Sequence, residues 1–139
     1  MVGITEIEHL FECYPEFFER FTGVFDIDYG WFPLIRDLCV SLHTYTESLP
    51  EENKVYFIEI NKRFGVLNIT YDGGDMFVAK LINLAERLSF KTCEFCGRLG
   101  KLHSLDGTEF SDLYTLCNED ALLGYEPINY MDMKVKTRA

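Results

Sequence analysis

KVYFIEINKRFGVLNITY, running from Lys54 to Tyr71, decides the fold. Lys54–Asn61 reads as a strand, with Tyr56, Ile58 and Ile60 on one face and Val55 and Phe57 on the other. Val66–Tyr71 reads as a second strand rich in β-branched residues, with Leu67, Ile69 and Tyr71 opposite Val66, Asn68 and Thr70. Gly65 between them suits the turn of a hairpin. Downstream, Asp72-Gly73-Gly74-Asp75 stops the second strand, and Asp75 stands at a helix N-cap. Phe77, Leu81, Leu84 and Leu88 form the apolar stripe expected of that helix, with Lys80, Glu86 and Arg87 outside it. Upstream, Trp31, Leu34, Ile35, Leu38 and Leu42 recur at helical spacing, and Pro33 falls in the first turn, where its missing N–H costs nothing. Residues 4–21 carry an earlier helical pattern through Ile4, Ile7, Leu10, Phe11, Phe17, Phe18 and Phe21; Pro15 either kinks one helix or opens a second. A two-stranded hairpin is marginal alone, so the helices must cover it. The class expected is α+β, helices packed on a small antiparallel β-hairpin, with an α-α-β-β-α core over residues 1–91.

At 139 residues, 47% hydrophobic and 26% charged, the chain has the composition of one compact domain, and 15% aromatic residues are enough to fill its core. The formal charge is −10. It is unevenly spread. Residues 1–60 hold 12 acids against 3 bases, residues 61–105 hold 4 against 7, and residues 106–139 hold 7 against 3. This disfavours a generic cationic nucleic-acid binder. The acidic first half reads as a solvated face, or as a face that docks on a basic partner by imitating nucleic acid. No apolar run approaches a membrane span, and the N-terminus MVGITEIEHL is acidic where a signal peptide is basic, so a cytoplasmic protein without a membrane partner is expected.

Five cysteines make no natural disulfide framework. Cys13 and Cys39 stand alone, whereas Cys93-Glu94-Phe95-Cys96-Gly97 is a CxxC followed by glycine. Two thiolates so spaced grip one tetrahedral ion from a tight turn, and the glycine lets the backbone pass under the sulfurs. Cys117-Asn118-Glu119-Asp120 follows after 20 residues, close to the spacing of zinc ribbons and treble clefs. Cys93, Cys96 and Cys117 are thus candidate ligands of a structural Zn²⁺; Asp120 is the fourth, with His103 as the alternative. The competing readings are a redox CxxC, which lacks the βαβ context it needs, and thiols that are simply buried. Catalytic zinc would need a general base, and no Glu stands in an HxE or HExxH relation to these ligands. Residues 92–123 are therefore expected to form a zinc-ribbon or treble-clef-like knuckle on the core, and residues 124–139 an irregular arm.

Gly30-Trp31-Phe32-Pro33-Leu34-Ile35, Asn61-Lys62-Arg63-Phe64-Gly65-Val66-Leu67 and Ala85-Glu86 through Thr92-Cys93-Glu94-Phe95-Cys96-Gly97 occur here in that order. In this the chain resembles a family of small, uncharacterised proteins of tailed bacteriophages and prophages, over residues 26–121. Their pattern is GW before a helix, K-E-K-F-G-G-L-R in a strand pair, then A-E…T-C-E-x-C-G and a closing C-x-x-H. This chain departs from it at Asn61, Arg63 and Val66, and at Asp120 in place of the final His. The resemblance implies a phage provenance and a fold, but no activity.

Other candidates are weaker. Asp26 and Asp28 form a DxD that could hold Mg²⁺, with no catalytic Lys, His or phosphate loop beside it. Cys39 and His43 stand i, i+4 on one helix without a third ligand, and Trp31 reads as a core anchor. Lys62, Arg63 and Phe64 at the hairpin turn, with Lys91, Arg98 and Lys101 near the knuckle, are the basic-plus-aromatic collection able to touch nucleic acid or a partner. The leading expectation is a non-enzymatic, zinc-stabilised interaction protein that binds and modulates or inhibits a host or phage protein. The alternatives are a nucleic-acid-binding zinc module of phage transcription or replication, and a metal-dependent nuclease acting through Asp26 and Asp28.

Overall fold

The computed structural model describes residues 2–105, 113–121 and 125–128. The protein is α+β, as the sequence leads one to expect. Helices α1 (Ile4–Cys13), α2 (Pro15–Phe18) and α3 (Phe32–Thr46) precede the hairpin of β1 (Val55–Arg63) and β2 (Val66–Gly73). Helix α4 (Met76–Ser89) follows, and then β3 (Lys101–Leu105), β4 (Leu113–Leu116) and β5 (Tyr125–Pro127) form a second antiparallel sheet in the order β4-β3-β5. Among the described residues no helix is long and apolar enough to cross a membrane.

Pro15 begins a new helix, so residues 4–21 are two short helices rather than one kinked helix. The α3 face that turns inward is Ile35, Leu38, Cys39, Leu42 and Thr46. Trp31 just before it is fully buried. The core is unusually aromatic: Phe11 stacks on Phe18 with ring centroids 4.3 Å apart, and Phe17 and Phe18 both meet Phe57 of β1.

The hairpin departs from simple alternation. The register shifts between Phe57 and Glu59, a β-bulge that lets Val55, Phe57 and Ile60 all reach the core. Tyr56 and Ile58, expected on the face of Ile60, are only half-buried. The bulged Ile58 carbonyl accepts from Thr22 and Gly23, and Ile60 pairs in parallel fashion with the Val24–Asp26 segment, so this segment closes the β1 edge. On the β2 edge the Leu67 and Ile69 N–H groups donate to Ser89 Oγ and Glu86 Oε2 of α4, at 2.9 Å each.

Those two bonds explain a second departure. The core face of α4 is Val78, Ile82, Ala85 and Ser89. Leu84 and Leu88 of the expected stripe are exposed, as is Phe77, while Leu81 is half-buried against the core. Burying a leucine gains about 1.5–3 kcal/mol, but each backbone N–H left buried without a partner costs about 1–3 kcal/mol. Turning Ser89 and Glu86 toward β2 satisfies two such groups at once. The helix starts at Asp75 as expected, its carboxylate accepting from Val78 N.

The arm expected to be irregular from residue 124 instead contributes β5, which pairs with β3 through Ser104↔Glu126. The basic tip at Lys134, Lys136 and Arg138 lies outside the described residues.

Candidate metal centre

After α4 the chain makes a tight knuckle. Thr92 and Leu99 pair as an antiparallel bridge; inside it Cys93 N donates to Arg98 O at 2.7 Å and Gly97 N donates to Cys93 O at 2.9 Å. Gly97 sits at φ +82°, the left-handed conformation glycine adopts without strain. Cys93 and Cys96 thereby stand side by side. Cys117 follows directly on β4, and the turn over residues 118–120 brings Asp120 back beside it.

The three Sγ atoms and an Asp120 carboxylate oxygen all lie within 4.8 Å of one another, close enough to bind a metal ion. Cys96 Sγ is 3.6 Å from Cys117 Sγ, and Asp120 Oδ2 is 3.4 Å from both Cys93 Sγ and Cys117 Sγ. Cys93 and Cys117 are buried, Asp120 is half-buried and Cys96 is exposed. Hydrogen bonds from the Cys96, Cys117 and Cys93 thiols hold the Asp120 carboxyl below its ordinary value. At Cys96 the Arg98 backbone N–H pulls the thiol down, but the Asp120 carboxylate, burial and the neighbouring sulfurs push harder and raise it to about 12. A divalent ion bound by this cluster would take its cysteines as thiolates and displace thiol protons.

His103, the alternative fourth ligand, is not in the cluster. It is buried on β3 with Nδ1 2.7 Å from the Lys101 carbonyl, opposite Tyr114, whereas Lys101 is opposite Leu116. Two residues along a strand is roughly 6.6 Å, which carries His103 away from Cys117.

A buried Glu94 ties the knuckle to the core. Its Oε1 meets Lys62 Nζ of β1 at 3.0 Å, and its Oε2 accepts from Thr115 N of β4 at 3.0 Å. Burial pushes this carboxyl up despite the Lys62 charge. Lys62 also lies 3.6 Å from the Tyr114 ring centroid, and Thr115 Oγ1 donates to Gly65 O at 2.7 Å. On the other side Gly30 N donates to Glu94 O, and the Trp31 indole donates to Thr92 O at 2.8 Å. A side chain at Gly30 would bring a Cβ within 2.1 Å of Cys93 O, so only glycine fits there. Nothing in periodicity or ligand spacing marks Glu94 or Gly30; the acid inside the CxxC and the distant Lys62 were the available signs.

The other candidates fall apart in space. Lys62 is committed to Glu94 and Tyr114, and Arg98 pairs with Glu119 at the surface. Arg63, Phe64, Lys91 and Lys101 are exposed. Cys39 is fully buried, and burial drives its thiol up, while His43 faces Glu16 at 3.0 Å. Asp26 and Asp28 join no group of metal-ligating side chains among the described residues. Comparison with protein-family models, curated proteins and solved structures returns no match.

Proposed function

We propose that Cys93, Cys96, Cys117 and Asp120 hold a structural zinc ion, and that the chain is a non-enzymatic interaction protein that binds and modulates or inhibits a host or phage protein. The spacing of the four ligand atoms carries the metal assignment. Tetrahedral zinc with Zn–S about 2.3 Å and Zn–O about 2.0 Å sets sulfurs about 3.8 Å apart and sulfur about 3.5 Å from oxygen. The separations of 3.6 Å and 3.4 Å match those edges. Four protein ligands leave no position for a reactive water, which favours a structural over a catalytic ion. When bound, the ion would fix the knuckle; Glu94, Trp31 and Gly30 then hold that knuckle against the hairpin and the start of α3.

The provenance we infer is a tailed phage or prophage. Its support is the motif order, together with the convergence of Gly30-Trp31, Lys62, Gly65 and Cys93–Gly97 on one junction. The interaction reading is favoured over nucleic-acid binding because Lys62 and Arg98 are neutralised within the fold and the chain carries −10 overall. The test is affinity purification of the tagged chain from bacterial lysate, with and without nuclease, alongside metal analysis. A single zinc equivalent and a dominant protein partner that survives nuclease are expected. Co-purifying nucleic acid, or partners lost on nuclease treatment, would overturn the interaction reading. Full metal content in Cys96→Ser would overturn the zinc assignment.

A further inference from the structure

The leucines that α4 turns away from the core do not simply face water. Leu84 and Leu88, one turn apart, border an open trough of about 960 Å³ that Leu99 also lines. These side chains are 53%, 44% and 81% exposed. Single exposed leucines are ordinary, but three around one concavity form a patch of the kind that marks a binding site.

The charge around the trough is anomalous for this protein. The chain has 23 acidic and 13 basic residues. Yet the trough is rimmed by Arg87, Lys91 and Lys101, with no acidic residue among the described residues that line it. All three cations are exposed, and none has an ion-pair partner among the described residues. An apolar floor within an unneutralised cationic rim is complementary to a segment that is apolar on one face and acidic on its flanks. Leu84 and Leu88 stand i, i+4, so a second helix laid along α4 would set its own i, i+3, i+4 apolar row against them.

We propose that this trough docks an acidic, amphipathic helical segment of a partner protein. The proposal rests on the interaction reading above and locates it. The rim would steer association and the leucines would hold the complex, so affinity should fall with salt but persist above it. A polyanion binder without the apolar contribution would instead lose affinity steeply.

The test selects a random displayed library of 16-residue peptides on the full-length, zinc-loaded chain. It counter-selects on Leu84→Asp/Leu88→Asp, whose exposed positions leave melting and metal content unchanged. Enrichment of peptides with net negative charge and apolar residues at helical spacing is expected. Their affinity should drop at least tenfold in the double variant and at least threefold in Arg87→Glu. Their binding should shift amide resonances of residues 84–101. Failure to enrich, enrichment of basic peptides, or equal binding to the double variant would overturn the proposal. So would a photocrosslinker at Leu84 that captures a second copy, or residues 129–139 of the same chain, as the occupant. A nuclease-resistant partner that binds Leu84→Asp/Leu88→Asp normally would sink the trough while leaving the interaction reading intact.

Discussion

Phe64 occupies the hairpin turn at φ 54°, followed by Gly65 at φ 80°. Two positive φ values in a two-residue loop are what a type I′ turn requires, and Asn-Gly is its preferred sequence. An L-residue in this conformation costs about 1–2 kcal/mol. Because Phe64 is 78% exposed, its ring recovers little of that by burial. Phe64→Asn should therefore stabilise the protein by about 1 kcal/mol in urea denaturation. A loss of stability would mean the ring supports the fold. At the other end of the same junction, Glu94→Ala leaves Lys62 without its counter-charge and the Thr115 N–H without an acceptor. The expected cost is on the order of 3 kcal/mol. Metal affinity should also fall by about 10–100-fold, as it does when groups orienting ligands are lost. Competition with a chromophoric chelator reads the affinity. Asp120→Cys should hold zinc at least as tightly as the native chain, since a fourth thiolate suits the same geometry; weaker binding would show that the site is built for oxygen at this corner.

Helix α4 answers to the hairpin more than to its own largest side chains. Ser89→Ala removes the acceptor of the buried Leu67 N–H and should destabilise the fold by about 1–3 kcal/mol, although it deletes only a hydroxyl. An unchanged urea midpoint would mean that another group accepts that proton. The start of the helix gives a pH signature. The Tyr45 hydroxyl, the Val78 N–H and other backbone donors hold the Asp75 carboxyl below its ordinary value of 3.8. A group depressed in the folded state lends stability above its ordinary value and loses it as pH falls through the depressed one. Asp75→Asn should thus melt below the native protein near neutrality, with the gap closing under acid conditions. A gap that persists at pH 2 would assign the effect to packing rather than to charge.

At the scale of the whole molecule, the described residues form a large hydrophobic core and a small second one, joined by polar contacts. The main core spans α1 to α4, while Cys93, Leu116 and Cys117 form a separate cluster with Phe95 and Tyr114. Trp31 belongs to the first, yet its indole bonds to Thr92, the residue before the first cysteine. As the chain has one tryptophan, its fluorescence reports on this junction alone. Chelation of the metal should shift Trp31 emission and lower the melting temperature while leaving the α-helical far-UV signal of the first core in place. Simultaneous loss of the whole signal would make the metal a condition of folding rather than a staple of one end.

The α+β class, the hairpin, the Asp75 cap and the trio Cys93, Cys96 and Cys117 were legible in the sequence, with Asp120 and His103 both open as the fourth ligand. Each rests on a local pattern: alternation, a turn residue, a cap, a ligand spacing. Which face of α4 is buried was settled by packing, because that choice depends on N–H groups of a strand some twenty residues away. Packing also set Asp120 rather than His103 beside the three thiols, because the turn over residues 118–120 returns Asp120 to Cys117 while the register of β3 carries His103 away. The bulge at Ile58, the Glu94–Lys62 clamp and the close approach of Gly30 to Cys93 had no local signature. They arise where segments distant in the chain compete for the same buried hydrogen bonds and the same space.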